Sequence, residues 1–314
     1  MFKQIVIGAV ASLAIAAPAA AQVVALGSTA TGGTSQIGRA LSATISESSP
    51  VQMRPQELAN TADYIPLVNA GELEFGISNV VQLVNAVTGT GMSEGRPNPG
   101  LKMVATLMPF RAGYIVRKDS DIGGVADLKD RRVPVFSEGA LGDYVTKAYL
   151  ATEDLTIDDV NGVQVPNFPR MWNSFSEGST DVTIVVVGAA NSREFDATFG
   201  IRYLSFDNSP ESVAAMQEWL PQSYMQTLDK DSGIPGIDEP TNIMVYDYTL
   251  FAAESTPDDV VYKVVEAIFN SEEALLANGP FWNGFAAGTM AKDVGVDYHP
   301  GAVQFYKEAG IWNE

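Results

Sequence analysis

The chain has 314 residues, of which 19 are basic and 38 acidic, and its formal net charge is -19. So acidic a surface repels nucleic acid and anionic lipid, and we expect no nucleic-acid partner. The acidic residues are dispersed and 46% of all residues are hydrophobic, which favours a folded chain over a disordered one.

The first residues predict a secretory signal. Lys3 gives a positive start, an apolar stretch follows from Ile5 to Ala17, and small residues at 19–21 form a cleavage site before Gln22. A buried N-terminal helix is the alternative. The apolar stretch is too short for a permanent membrane anchor. The chain has no cysteine, which is compatible with export and excludes a lipid anchor on such a residue. We therefore expect residues 1–21 to be removed and the mature protein to be periplasmic.

Strand and helix patterns then alternate up to residue 108. The helix predicted at 33–48 places Ile37, Leu41 and Ile45 on one face. The helix at 60–70 is weakened by Pro66. The predicted elements in this part are the strands "VVAL", "VQMR", "LEFGIS" and "LKMVATLM" and the helices 33–48, 60–70 and 80–87.

The pattern restarts with a strand at "AGYIVRK", residues 112–118. The almost wholly apolar "DVTIVVV" is typical of a parallel sheet covered on both faces. Two α/β runs without a linker predict two lobes, one formed by 22–108 plus 245–314 and the other by 109–244. The further predicted elements are the strands "RVPVF", "GVQVP", "DVTIVVV", "IRYLSF" and "NIMVYDYTLFAA", and the helices 141–151, 171–177, 211–220 and one after Pro257.

The stretch "GSTATGGTSQIG", residues 27–38, is a glycine-rich turn between a strand and a helix. It nearly matches the phosphate-loop pattern G-x-x-x-x-G-K-[ST], but the lysine position is glycine. Glycines allow close backbone approach, and a helix start offers free N–H groups. A turn rich in hydroxyls but without lysine suits a small carboxylate; an ordinary tight turn is the alternative. The candidate binding residues are Ser28, Thr29, Thr31, Gly32, Gly33 and Thr34.

Few arginines are available to hold an anion. Arg54 ends the second predicted strand, and Arg111 lies where the second lobe begins. An arginine fork binds a carboxylate bidentately, and clefts form at strand ends and lobe crossings. A surface ion pair is the alternative for each arginine. Trp172 and Asn173 in "NFPRMWNSF" line either a pocket or, in the case of the tryptophan, the core.

His299 is the only histidine, so a Ser-His-Asp hydrolase would have to use it. The sequence contains no G-x-S-x-G elbow, and "YHPG" is typical of a turn before a helix. One histidine and no cysteine also make a poor zinc site. We therefore expect a structural histidine, no metal and no cofactor, with a secreted hydrolase as the rival interpretation.

Several blocks together resemble the TAXI solute-binding proteins of TRAP transporters over essentially the whole mature chain. The resemblance implies a type II-like, two-lobed periplasmic-binding-protein fold that closes on a ligand in the cleft between the lobes. It also implies a non-enzymatic receptor for small organic acids, such as glutamate or 2-oxoglutarate, and we expect a monomer. Its partner would be an ion-gradient-driven permease with small and large membrane subunits. The blocks are "LGSTATGGTSQIGRAL", "NAGELEFGISNVVQLVNAVTG", "FSEGSTDVTIVVVGAAN", "PDDVVYKVVEAIF" and "YHPGAVQFYKEAGIW".

Two positions depart from that family. Asn79 stands where the family often has glutamine. In "FSEGALGD", residues 136–143, Ser137 and Glu138 stand in a turn that is often "GSGT"-like. A Glu138 directed into the cleft would prefer a cationic or hydroxyl group on the ligand. A receptor for an ATP-driven importer or a sensor shares the same lobes and remains the alternative. We expect hinge closure about 108–112 and 242–246.

Overall fold

The computed structural model describes residues 22–30 and 32–312, so the predicted signal lies outside the described residues. No helix in this part of the chain is both long enough and apolar enough to cross a membrane. The strands are β1 Gln22–Thr29, β2 Val51–Leu58, β3 Phe75–Asn79, β4 Leu101–Arg117, β5 Arg132–Val135, β6 Asn161–Gln164, β7 Thr183–Val186, β8 Ile201–Tyr203, β9 Tyr224–Leu228 and β10 Thr241–Ala253. The helices are α1 Gly33–Ser48, α2 Thr61–Asn69, α3 Val80–Thr88, α4 Leu141–Ala151, α5 Phe168–Ser176, α6 Ala190–Phe199, α7 Pro210–Trp219, α8 Asp258–Phe269, α9 Glu272–Leu276 and α10 Pro300–Glu308.

One mixed sheet of eight strands runs through the molecule. Its order is β2-β1-β3-β10-β4-β7, with β8 also paired to β4 and β9 paired to β10. The strands β1, β2 and β3 are parallel, and β10 is antiparallel to both β3 and β4. The strands β5 and β6 form a separate parallel pair. We call the part built on β1–β3 the first half and the part built on β5–β9 the second half; β4 and β10 belong to both.

The prediction of two separate strands around residue 110 was wrong, because β4 is one strand of 17 residues. Pairing with β10 shifts between Asp247, which is opposite Pro109, and Thr249, which is opposite Thr106. Proline has no N–H to give to the ladder, and a bulge at this point absorbs the extra residue. The strand therefore continues from the first half into the second.

Helices cover both faces of the sheet in the first half. The helices α1, α8 and α10 pack on one face through buried residues such as Leu41, Val265 and Tyr306. On the other face, α2 and α3 bury Tyr64 and Val80. The free edge of β4 is covered by the segment before α10, whose backbone exchanges hydrogen bonds of 2.8 Å with Met103.

In the second half, alternate side chains of β4 enter two different cores, as the period of a strand requires. Tyr114 packs with Tyr149 of α4 and belongs to the cluster that also holds Met216 of α7. Ile115 belongs to the cluster that contains Phe175 of α5 and residues of α6. The cluster that includes Tyr114 extends into the first half along β4 and β10, so one buried core spans the crossing.

Candidate functional site

The turn between β1 and α1 leaves the start of α1 without a side-chain cap among the described residues. Its N-cap is Gly32, whose φ of 83° and ψ of -160° suit glycine almost alone. A Cβ at this position would meet no atom within 4 Å, so the adjoining space is open. The candidate Thr31 lies outside the described residues. Since a helix start has unpaired N–H groups and the positive dipole end, this turn can hold an anion.

The hydroxyl groups of this turn hold it in shape. The hydroxyls of Thr29 and Thr34 hydrogen-bond to each other, and Ser35 donates to a carbonyl of the turn at 3.2 Å. Ser28 is buried under α1, where its Cβ lies 3.1 Å from the place that a Cβ on Gly38 would take. With the Thr29, Thr34 and Ser35 hydroxyls so engaged, the backbone N–H groups are the donors that suit a ligand best.

Gly33, at the position of the phosphate-loop lysine, faces two rings, Tyr248 and Phe281, of a group of four packed aromatic rings. A Cβ there would lie 2.7 Å from the Tyr248 hydroxyl and 2.9 Å from the Phe281 ring. The Phe110 ring is stacked on Tyr246 at 5.0 Å between centroids and lies 5.6 Å from Tyr248 and 6.1 Å from Phe281. We call these four residues the aromatic wall. A side chain on residue 33 has no room beside the wall, which explains why the lysine is missing.

Arg111 lies next to the wall and connects three segments. Its Nε donates to Gln226 Oε1 at 2.7 Å, and its Nη1 donates to the Asn283 carbonyl at 3.2 Å. It is opposite Val245 on β10, and a Cβ on Gly284 would lie 2.9 Å from its Nη2. The structure thus places this guanidinium, half-exposed, where β4 passes between the halves. Its contact with a ligand stays a prediction.

The sequence did not indicate an ion pair between a buried carboxylate on β10 and an exposed lysine from a later loop. The carboxylate of Asp247 on β10 pairs with Lys292 and accepts a hydrogen bond of 3.2 Å from the Tyr224 hydroxyl. The Lys292 ammonium also lies 4.3 Å from the centroid of the Tyr224 ring. Burial, and next the Asp247 charge, raises the pKa of Tyr224, so this phenol stays neutral. The partners of Asp247 are 23 and 45 residues away, so no local pattern indicates them.

Asn79 is the N-cap of α3. Its Oδ1 accepts from the Gln82 N–H at 2.9 Å, and its Nδ2 donates to Gln82 Oε1 at 2.9 Å. The residue is buried and is opposite Tyr248 of the aromatic wall. The structure therefore brings Asn79 to the wall, where its side chain orders the start of α3.

The turn before α4, which carries Ser137 and Glu138, is filled from within the chain. The Asp143 carboxylate accepts from the Gly139 N–H at 3.0 Å and from Lys147 Nζ at 2.9 Å. The side chains of Ser137 and Glu138 are exposed. A carboxylate of the protein already uses donors at this helix start, so the turn is poorly suited to a second anion.

Three other predicted residues lie elsewhere. Arg54 is exposed on the edge strand β2, four residues before the end of that strand, or about 13 Å along it. The indole N–H of Trp172, on α5, donates to the Ile184 carbonyl at 2.9 Å, and the ring is half-buried against the core. Asn173 beside it is exposed. These contacts favour the core interpretation of Trp172 over the pocket-lining one.

Arg39 is a cation near the glycine turn that the sequence analysis did not select. Its Nη2 donates to the Ala30 carbonyl at 3.4 Å and pairs with Glu57 at 3.0 Å. Together with Phe281 of the wall it lines a surface depression of about 300 Å³. Its spacing of seven residues from Gly32, two helical turns, is the signal that could have revealed it.

His299 caps α10. It is fully buried, and its Nδ1 accepts from the Gly301 N–H at 3.2 Å and lies 3.7 Å from Asp258 Oδ1. Burial lowers the pKa of His299, so the imidazole stays neutral. All of these contacts serve the start of a helix, which favours the structural interpretation of this histidine.

The two crossing strands and the mixed sheet define a two-lobed periplasmic-binding-protein fold. A TctC solute-binding protein from Polaromonas has this fold, with 17% identity, coverage of 84% of this chain and 90% of that chain, and a TM-score of 0.58. The PhnD1 protein from Prochlorococcus marinus, solved with methylphosphonate, is 12% identical over 92% of this chain and 99% of that chain, with a TM-score of 0.53. The aliphatic sulphonate binding protein SsuA from Escherichia coli is 14% identical over 82% and 73%, with a TM-score of 0.50.

The chain belongs to the NMT1-like family, whose model matches residues 26–310. The match begins inside β1 and ends just after α10, so it includes both halves of the molecule. The predicted fold class is therefore confirmed. The narrower resemblance to TAXI proteins stays a prediction.

Proposed function

We propose that this protein is a periplasmic solute receptor that captures a small organic carboxylate and delivers it to an ion-gradient-driven TRAP permease with small and large membrane subunits. It binds its ligand without chemical conversion. The observation that carries the proposal is the uncapped glycine turn beside the aromatic wall, where Gly33 leaves no room for a phosphate-loop lysine.

Closure of two lobes would complete the site. One lobe comprises 22–108 plus 245–314, and the other comprises 109–244. The continuous strands β4 and β10 join them, and the pairing shift opposite Pro109 falls inside the proposed pivot at 108–112. A bulge in a crossing strand is a place where the backbone can bend with little loss of pairing. Solution scattering should show a smaller radius of gyration when ligand is bound.

The donor set favours a carboxylate over the anions named for the fold neighbours. PhnD1 was solved with methylphosphonate, and SsuA is a sulphonate-binding protein. A phosphonate or sulfonate presents three oxygens in a tetrahedral array, whereas a carboxylate presents two in a plane. Backbone N–H groups at one helix start plus one guanidinium fork match the planar pair. The turn before α4, which could hold a third oxygen, is taken by Asp143.

A thermal-shift screen of the mature chain against carboxylates, sulfonates and phosphonates tests the ligand class. A ligand present at 100 times its Kd should add about 2.7 kcal/mol of stability. We expect stabilisation by small organic acids, with calorimetry giving one site per chain. Binding of sulfonates or phosphonates alone would contradict the carboxylate assignment.

The partner and the absence of catalysis have separate tests. Uptake into vesicles that contain the TRAP membrane subunits should require this protein and an ion gradient, and should continue without ATP. A dependence on ATP would support the importer alternative instead. Ester hydrolysis that disappears in His299→Ala would support the hydrolase, whereas we expect none in the native protein.

A further inference from the structure

Three asparagines of this chain, Asn161, Asn278 and Asn283, stand directly before a glycine. Glycine has no Cβ to shield its backbone nitrogen, so this nitrogen can reach the side chain of the preceding asparagine. It attacks Cγ, the bond from Cγ to the amide nitrogen breaks, ammonia leaves, and a cyclic succinimide forms. The reaction is fastest where neither the asparagine amide nor the glycine N–H is held by a hydrogen bond.

The structure protects two of these asparagines. Asn161 lies in β6, which pairs with β5, and its Nδ2 donates to the Asp130 carbonyl. The Nδ2 of Asn278 donates to the Ala274 carbonyl at 2.8 Å. The N–H of the glycine after Asn278 donates to a carbonyl of α9 at 3.4 Å. Because a hydrogen bond must break before the two groups can meet, both sites react slowly in the folded protein.

Asn283 has no such protection. Together with Gly284 it forms an exposed turn outside the helices and strands. Within residues 22–30 and 32–312, neither the side-chain amide of Asn283 nor the N–H of Gly284 makes a hydrogen bond. The φ of 96° at Gly284 is a conformation that glycine adopts readily. The side chain of Asn283 can therefore turn toward the next nitrogen without loss of a contact.

The backbone carbonyl of Asn283 lies on the guanidinium of Arg111. Its oxygen accepts a hydrogen bond of 3.2 Å from Nη1, and a Cβ on Gly284 would lie 2.9 Å from Nη2. Water opens a succinimide at either of its two carbonyl carbons. Opening at the former backbone carbonyl gives isoaspartate, in which the chain continues through Cγ and that carbonyl becomes a free carboxylate. The oxygen that accepts from Arg111 thus becomes part of a carboxylate, the partner that an arginine fork prefers.

We infer that Asn283 is a deamidation site and that isoaspartate at this position inactivates the receptor by pairing with Arg111. The net reaction converts an amide and water into an acid and ammonia, so it needs no other reactant. It adds one negative charge beside the guanidinium and engages its donors within the chain. The deamidation site stands on the geometry alone, whereas the loss of ligand binding rests on the proposed function.

A peptide map of protein aged at mildly alkaline pH tests the site. The tryptic fragment 264–292 contains both Asn278 and Asn283, so its fragment spectra compare the two directly. We expect conversion to aspartate and isoaspartate at Asn283 to be at least about 5-fold faster than at Asn278 or Asn161, since no hydrogen bond must break first. In concentrated urea all three should react at similar rates. Equal rates in the folded protein would overturn the site.

Two readouts test the consequence on deamidated protein that has been separated by anion exchange. Phenylglyoxal reacts with arginine side chains, and it should label Arg111 more slowly than in fresh protein while it labels the exposed Arg54 at an unchanged rate. Calorimetry with 2-oxoglutarate should show roughly ten- to hundredfold weaker binding, the loss expected when Arg111 no longer serves the ligand.

Matched variants assign the loss to one residue. Asn283→Gln keeps an amide but cyclises far more slowly, so the aged variant should retain both the labelling of Arg111 and the binding of 2-oxoglutarate. Asn278→Gln should age like the native protein. Asn283→Ser, which has no amide, provides a second variant should Asn283→Gln fail to fold.

The outcomes separate this inference from the proposed function. If deamidated protein keeps the native labelling rate of Arg111, the pairing is wrong. If binding declines with age as fast in Asn283→Gln as in the native protein, the loss arises elsewhere and the inference is wrong. If the fresh native protein does not bind 2-oxoglutarate, the part on binding falls with that ligand, whereas the peptide map and the labelling still decide the site and its contact with Arg111.

Discussion

The turn before α1 and the turn before α4 share a local plan, since each joins a strand to a helix through glycine. At α1 no described side chain caps the helix, and the N-cap glycine faces open space. At α4 the Asp143 carboxylate accepts from the Gly139 N–H and from Lys147. The same backbone motif is thus open at its helix start in one half, where we propose that it binds an external anion, and is closed by an internal ion pair in the other. The difference lies in one acidic residue near the helix start.

The strongest test of this comparison fills the first turn. Gly33→Lys should weaken ligand binding by roughly 100-fold or more, because its Cβ would collide with Tyr248 and Phe281 despite the added charge. Isothermal calorimetry measures the loss. The control is Gly124→Lys, where a Cβ meets no atom within 4 Å. Tighter carboxylate binding, or new nucleotide binding, in Gly33→Lys would show that the turn is a phosphate loop in need of a lysine.

The second test removes the formal charge beside the first turn. Arg111→Ala should cost about 1.5 to 3 kcal/mol of binding, a ten- to hundredfold rise in Kd, since a charge-assisted hydrogen bond is lost. Arg54→Ala is the matched control, and we expect near-native affinity because Arg54 is exposed on an edge strand. If a folded Arg111→Ala variant binds the ligand with native affinity, Arg111 does not contact the ligand and only the neutral donors of the turn bind the carboxylate.

The third test empties the second turn. Asp143→Ala should lower the free energy of unfolding by about 1 to 3 kcal/mol, because Lys147 and the Gly139 N–H lose a buried partner. Asp259→Ala breaks a similar i,i+4 pair with Lys263 that is exposed, and it should cost only about 0.3 to 0.5 kcal/mol. Urea titration measures both. Acetate should restore part of the stability of Asp143→Ala alone; no recovery would mean that the two turns differ in more than their occupant.

The smallest expected effect is on stability and concerns the start of α10, which the neutral side chain of His299 caps. The folded-state pKa of His299 is lowered by burial, so the unfolded chain binds the proton more readily. Stability from this group is complete above the unfolded pKa of about 6.5 and is lost as pH falls from there through the lower folded pKa. Melting temperatures between pH 5 and 8 should show this decline, and His299→Asn, which can still cap, should reduce its slope. If the melting temperature of His299→Asn depends on pH as steeply as that of the native protein, His299 is not the group that causes the decline.

The sequence was most informative where structure is local. The strand and helix around the glycine turn, and helix α8 after Pro257, follow from hydrophobic periodicity and from the glycine and proline at the two helix starts. The strand β9 was not predicted, because "YMQTL" has no clear alternation and pairs with β10 across a loop. The continuity of β4 was hidden by Pro109, whose effect on pairing depends on a bulge.

The candidate site depended more on contacts between distant segments. The placement of the glycine turn could be expected from the end of β1, and that of Arg111 from its position where the second lobe was expected to begin. The aromatic wall could not, because Phe281 reaches Gly33 from a loop about 250 residues later. Asp143, by contrast, stands in the first turn of α4, where an acidic side chain commonly meets free N–H groups. That signal was present in "GALGD" and was not used.

The strand order β2-β1-β3-β10-β4 also dictates when the protein can fold. Strand β3 pairs with β10, which begins only at residue 241. The edge of β4 is covered by the segment before α10. A chain that is synthesised from its N-terminus therefore cannot complete the core of the first half until nearly all of its residues have been made. Until then residues 22–240 lack the central strand of their sheet, which delays folding until most of the chain has been synthesised.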